Sequence, residues 1–356
     1  MSPRERGLGT RAVHGGRPPA ANGAPFLAGP TLIGPTHLSG DADPLGYGRT
    51  ANPTWAAYEQ ALAELEGGPC LAFASGVAAI SAVLLALTEP GDVVVIPEDG
   101  YPSVRTIAAE QLEPHGITVR RVRTGDGAYR NALTGATLVW VETPANPGLE
   151  TVDVAALAAD AHAAGALLAV DNTLLTPYLQ RPLEEGADVV VTSGTKALTG
   201  HSDVIIGHVA ARRALDRDRL QRWRATHGAI PGPFETWLAH RSLGTLGVRL
   251  DRQVANAGAI TELLREHLAV TDVRTAGRPC PVVCFDLGTR ERAEAFLEAC
   301  VLVADATSFG GLHASAERRA RWGTDAVGEG FIRFSCGVED PADLVADVAQ
   351  ALDRLS

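Results

Sequence analysis

From Pro53 onward the chain alternates short, nearly continuous apolar runs with helical patterns, and this alternation narrows its folds more than any other feature. The runs are "DVVVIP" (92–97), "TLVWVETP" (137–144), "ALLAVDN" (166–172) and "ADVVVTS" (187–193). Strands apolar on both sides belong inside a parallel sheet covered by helices on each face. The helices are legible around them. "NPTWAAYEQALAELEG" offers Asn52 as N-cap, Pro53 in the first turn and Gly67 as a stop. "SGVAAISAVLLAL" is apolar almost all round and so buried, and "VDVAALAADAHAAG" is an Ala-rich helix ended by Gly165.

Beyond about residue 225 the texture changes. "ETWLAHRSLGTLGVRLDRQVANAGAITELLREH" predicts one long amphipathic helical stretch joining two domains. "CPVVCFDLG" and "GFIRFSCGVED" then read as strands, and "RAEAFLEAC" and "PADLVADVAQALDRL" as helices, of a smaller α+β domain. The Gly/Pro-rich opening, including "LAGPTLIGPTHLSGDADPLG", has no periodicity and reads as an extended arm. The expected division is an arm over 1–52, a large domain over 53–225 and a small domain over 226–356.

In a parallel sheet, ligands bind beyond the carboxyl ends of the strands. Those ends carry Asp99 and Tyr101, Glu142 and Asn146, Asp171 and Asn172, then Ser193, Thr195 and Lys196. Lys196 lies in "TSGTKALTG", among small and hydroxyl residues with no other basic side chain before His201. Taken alone, such a lysine snorkels to solvent or pairs with a carboxylate. A desolvated amine of lowered pKa can instead capture an aldehyde. Pyridoxal phosphate needs such a lysine, a carboxylate for its ring nitrogen and a cradle for its phosphate. Asp171 supplies a carboxylate that would otherwise be a loop or cap residue. Ser75 and Gly76 open a buried helix, where free N–H groups favour a phosphate, although Ser-Gly before a helix is more often only a cap.

The sequence resembles the cysteine/methionine-metabolism enzymes that use pyridoxal phosphate, a family that includes cystathionine lyases and synthases. The resemblance runs through "YGRTANPTW", "LAFASGVAAISAVL", "VWVETPANPGLETVDV", "LLAVDNTLLTPYLQRPLEEGADVVVTSGTKALTGHSD" and "FIRFSCGVEDPADLVADV". It implies an α/β protein of PLP-dependent transferase fold type I, the aspartate aminotransferase type, assembled as a tetramer built from dimers with shared active sites. It implies that Lys196 is the Schiff-base lysine and Asp171 the partner of the pyridine nitrogen. Ser75, Gly76, Val77, Ser193 and Thr195 then form the phosphate cradle, with Tyr47 and Arg49 reaching the phosphate in a neighbouring subunit. Tyr101 stacks over the ring and exchanges protons with substrate, Asn146 lies near cofactor and substrate, and Arg333 and Ser308 hold the substrate carboxylate.

The chemistry so implied is elimination on a sulfur-containing amino acid, with cystathionine γ-lyase activity expected first. γ-Replacement, β-elimination, methionine γ-elimination and a specialised substrate share the early steps, and a non-catalytic cofactor-fold binding protein is the reading from another class. Three departures bear on the substrate. His313 stands where the family often has a glutamate that recognises a distal amino group, Pro102 rather than cysteine follows Tyr101, and the stretch "VRTAGRPCPVVCFDLG" is short.

Charge and cysteine usage set further limits. A net charge of −11 argues against a nucleic-acid partner. The opening residues have no apolar signal core, and no apolar run is long enough to span a bilayer. Five scattered cysteines suit a reducing cytoplasm, and Cys280 and Cys284 have no second pair with which to bind zinc.

Overall fold

The computed structural model describes residues 6–19, 21, 23–35 and 47–355, so part of the arm lies outside the described residues. The larger sheet has seven strands: β1 (Cys70–Phe73), β2 (Val93–Pro97), β3 (Thr118–Val122), β4 (Leu138–Glu142), β5 (Leu167–Asp171), β6 (Val189–Thr192) and β7 (Gly207–Ala211). Their order is β1-β7-β6-β5-β4-β2-β3. Only β7 runs against the others, pairing antiparallel with both β1 and β6. The four strands expected from the apolar runs are β2, β4, β5 and β6, four of the five inner strands.

Alternate residues of a strand face opposite sides of the sheet, and the packing follows that period. Val139, Val141, Leu168, Val170 and Val190 enter one buried core. Their neighbours Leu138, Trp140, Ala169, Val189 and Val191 enter the other, beneath the helix Gly76–Ala86. Parallel β4 and β5 pair in the register Glu142↔Asp171, which sets two carboxylates side by side at the carboxyl ends of central strands.

The second sheet contains β8 (Asp272–Arg274), β9 (Val282–Asp286), β10 (Ala304–Asp305), β11 (Ser315–Arg318) and β12 (Phe331–Ser335). Its order is β10-β11-β12-β9-β8. The stretch 235–267, expected as one helix, is two: Pro233–Leu243 and Leu246–Glu266, separated at Gly244 and Thr245. Glycine is a poor helix residue, and the first helix's C-cap N–H bonds are short-range ones to Arg241 and Ser242. The second helix links the two cores: Leu246 and Leu250 pack with the large sheet, Ala257, Ile260 and Leu264 with the small one.

Candidate active site

The carboxyl ends of β4, β5 and β6, the start of the helix Gly76–Ala86 and three segments around the smaller sheet enclose a cavity of ≈ 610 Å³. Its walls include Ser75, Gly76, Val77, Tyr101, Asn146, Asp171, Ser193, Thr195, Lys196, Ser308 and Arg333. Every residue assigned to the site from the sequence is therefore brought together, apart from Tyr47 and Arg49. Those two lie outside it within the single chain: Tyr47 is about half exposed, and Arg49 Nη1 donates to the Ala225 carbonyl at 2.8 Å. His313 is exposed and does not line the cavity.

Lys196 sits on the turn after β6, and Arg249 fixes that turn from beneath. Arg249 Nη1 donates to Ala197 O at 2.8 Å and Nη2 to Leu198 O at 3.0 Å. Gly310 closes the turn from the other side, since a Cβ there would lie 2.4 Å from Ala197 N. Lys196 Nζ donates to Ser308 Oγ at 2.8 Å and lies 5.3 Å from the Phe309 ring centre. Burial lowers the amine's pKa from 10.5, and the Arg333 cation lowers it further against a contrary pull from Glu317.

Arg333, at the middle of β12, is 4% exposed. Nη1 donates to Asn146 Oδ1 at 2.7 Å, and Nη2 donates to Ser308 O at 2.9 Å and to Glu317 Oε2 at 2.8 Å. Burial depresses its pKa to about 10, so it remains a cation at neutral pH. Ser308 joins the two bases, through its hydroxyl to Lys196 and its carbonyl to Arg333. It does so at φ 80°, a left-handed conformation costing a non-glycine residue roughly 1–3 kcal/mol.

At the strand ends, Glu142 holds the loops. Its carboxylate accepts from Tyr101 N at 2.6 Å and Asn146 N at 3.2 Å. Burial and then the neighbouring Asp171 push the Glu142 pKa well above the usual carboxylate range. Asp171 is 6% exposed and accepts from Thr173 N at 3.0 Å. Burial raises its pKa too. It has no cation partner among the described residues, so a protonated ring nitrogen would relieve its desolvation.

The third corner is the helix start Gly76–Ala86. Ser75 caps it by accepting from Ala78 N at 3.0 Å, which leaves the Gly76 and Val77 N–H groups for a ligand. Ser193 packs so close that a Cβ on Gly76 would lie 2.6 Å from Ser193 Cβ. Thr195 is committed locally: its hydroxyl donates to Ile206 O at 3.1 Å and accepts from Ile206 N at 3.0 Å. A buried unpaired carboxylate, a desolvated amine and a helix N-terminus thus face one cavity, and these donor types fit pyridoxal phosphate.

The sequence matches the family described as Cys/Met metabolism PLP-dependent enzyme over residues 34–353. The chain belongs to this family. It is a pyridoxal-phosphate-dependent enzyme of fold type I, as the resemblance implied. A Streptomyces coelicolor protein described as "Putative cystathionine gamma-lyase" is 51% identical, covering 98% of this chain and 94% of its own. The L-methionine gamma-lyase of Pseudomonas deceptionensis is 35% identical over 98% of both chains. Among solved structures, apo methionine gamma lyase from Micromonospora echinospora superposes with a TM-score of 0.91 at 36% identity, covering 98% of this chain and 99% of that one.

For a member of this family one count gains weight: Lys196 is the only lysine in the sequence, every other member of the Lys+Arg set being arginine. That count marks the residue by itself, and reasoning from its neighbours passed over it. The roles of Glu142, Glu317, Phe309 and Arg319 also went unread. Their signals are contacts between distant segments, which spacing along the chain does not carry. Among the described residues there is no cluster of metal-binding side chains and no helix long and apolar enough to cross a membrane. All five cysteines are free.

Proposed function

We propose that this enzyme cleaves the Cγ–S bond of L-cystathionine, with water, to cysteine, 2-oxobutanoate and ammonia. The observation carrying the reading is the 51% identity, across nearly the whole chain, to the relative described as "Putative cystathionine gamma-lyase", against 35% to the methionine γ-lyase. When bound, pyridoxal phosphate supplies the aldehyde that takes up the substrate amine and a ring that accepts electrons from Cα.

The chain's own residues do the rest. Arg333 holds the substrate α-carboxylate in its planar fork, with Asn146 and Ser308 on either side. This fixes Cα beside Lys196, whose neutral amine takes the Cα proton and carries protons onward. Asp171 keeps the ring nitrogen protonated. Tyr101 gives a proton to the departing sulfur of cysteine. Gly76, Val77, Ser75, Ser193 and Thr195 surround the phosphate.

Tyr47 and Arg49 complete the site of a neighbouring subunit in a homotetramer built from dimers. The chain works in the cytoplasm, where its thiols stay reduced. The test is product analysis with L-cystathionine, alongside L-methionine and O-acetyl-L-homoserine plus cysteine. Equimolar 2-oxobutanoate and cysteine from cystathionine support the reading. Pyruvate with homocysteine makes the enzyme a β-lyase, and net synthesis of cystathionine makes it a γ-synthase.

A further inference from the structure

The cavity holds a second guanidinium that the reaction above does not use. Arg319 follows β11 on the short turn Arg319–Trp322, lines the cavity and is 7% exposed. Its Nε and Nη2 both donate to Asp325 Oδ2, at 2.9 and 2.6 Å. Its Nη1 donates to Glu317 Oε2 at 2.8 Å, the oxygen that also takes Arg333 Nη2 at 2.8 Å. A guanidinium has more N–H groups than these three bonds use, and the others meet no acceptor among the described residues. Glu317 is itself engaged at both oxygens, since Trp322 Nε1 donates to the other one at 2.6 Å. A buried arginine with spare donors on a cavity wall is built for an anion that arrives with the ligand.

We propose that Arg319 binds a carboxylate at the far end of the substrate side chain, selecting amino acids that carry a second carboxylate beyond the Cγ substituent. This rests on the reading of Arg333 as the clamp for the α-carboxylate. Two arginines share one Glu317 oxygen, so each end of a dicarboxylic substrate meets a guanidinium, with Asp325 remaining as the second partner of Arg319. The half-exposed Trp322 and the Phe309 ring line the same cavity, where a thioether would pack against aromatic faces. The exposed His313 is in no position to make this contact. L-Cystathionine, with a carboxylate at each end, meets the requirement, whereas L-methionine does not.

The experiment uses holoenzyme and two ligands of matched length that lack a leaving group, L-2-aminosuberate with a terminal carboxylate and L-2-aminooctanoate with a methyl. Their dissociation constants are read from the cofactor's absorbance for wild type, Arg319→Lys and Arg319→Gln/Asp325→Asn, the last preserving local charge balance. Wild type is expected to prefer aminosuberate at least about 10-fold, because a site built to hydrogen-bond a group discriminates against ligands lacking it. The double variant should lose that preference while binding aminooctanoate within about 2-fold of wild type, and Arg319→Lys should keep part of it. The KM for cystathionine should rise in parallel, with kcat little changed. An unchanged preference, or equal weakening of both ligands, would reduce Arg319 to a brace for Glu317. If wild type fails to cleave cystathionine, the proposed reaction falls, while the ligand pair still decides the role of Arg319.

Discussion

A lysine buried beside a guanidinium gives up its proton more readily than one in water, and that residue-scale fact makes Lys196 testable without turnover. The rate at which the cofactor-free protein recaptures pyridoxal phosphate should follow the neutral amine, rising with pH and levelling off at a midpoint below 10.5. Arg333→Leu removes one cause of the depression, so its midpoint should move up. Glu317→Gln removes the opposing influence, so its midpoint should move down. Midpoints that ignore both substitutions would leave burial as the whole cause. Linkage gives the matching stability trend. The unfolded chain keeps its lysine proton up to 10.5 and the folded chain releases it earlier, so this group adds stability as pH climbs between the two values. Asp171→Asn keeps the shape but not the charge and should lower kcat by about 10²–10⁴-fold with the fold intact, as judged by circular dichroism. Lys196 and Asp171 were legible because each follows an apolar run on a recognisable strand. Glu317 and Arg319 were not, because "SAERRARW" looks like a solvated charged segment until β11 and β12 pair and bury it.

At the scale of elements, the site depends on how closely backbones approach. Gly76→Ala should cost roughly 1–3 kcal/mol by overpacking and should loosen the cofactor, because the new Cβ meets Ser193 Cβ at 2.6 Å. Adding Ser193→Gly should recover much of the loss, and a double-mutant cycle by urea unfolding measures the coupling. Arg249→Met strands the buried Ala197 and Leu198 carbonyls and should cost roughly 1–3 kcal/mol for each acceptor left unpaired. Strand legibility followed the branched apolar pattern rather than burial, since β1 and β7 are fully buried as well. Strands β2, β4, β5 and β6 read directly as apolar runs, whereas β1, β3 and β7 were missed. β3 is an edge strand whose "TVRRV" has two arginines within it, Arg121 exposed and Arg120 donating to the Ala132 and Thr134 carbonyls, and β1 is a four-residue "CLAF" at the other edge. β7, "GHVAA", has small residues and a histidine that pairs with buried Glu66 at 2.7 Å. None of these three has the continuous branched pattern that announces a central parallel strand.

At the scale of the whole molecule, Tyr47 and Arg49 are absent from the cavity of their own chain, and the shared-site proposal turns on where they act. Arg49→Ala and Lys196→Ala should each be inactive alone. Mixed and allowed to exchange subunits, they should recover up to about a quarter of wild-type activity if sites form between chains, since random pairing leaves that share of sites with both groups intact. No recovery after demonstrated exchange would confine each site to one chain. The central claim is that Lys196 anchors the cofactor, and the single lysine makes a direct measurement possible. Purified holoenzyme is reduced with borohydride and its peptides are mapped by mass. The account predicts one phosphopyridoxyl group, carried by the peptide containing Lys196, with loss of both the visible absorbance and activity. An unmodified Lys196 in fully reduced, inactivated enzyme would contradict it.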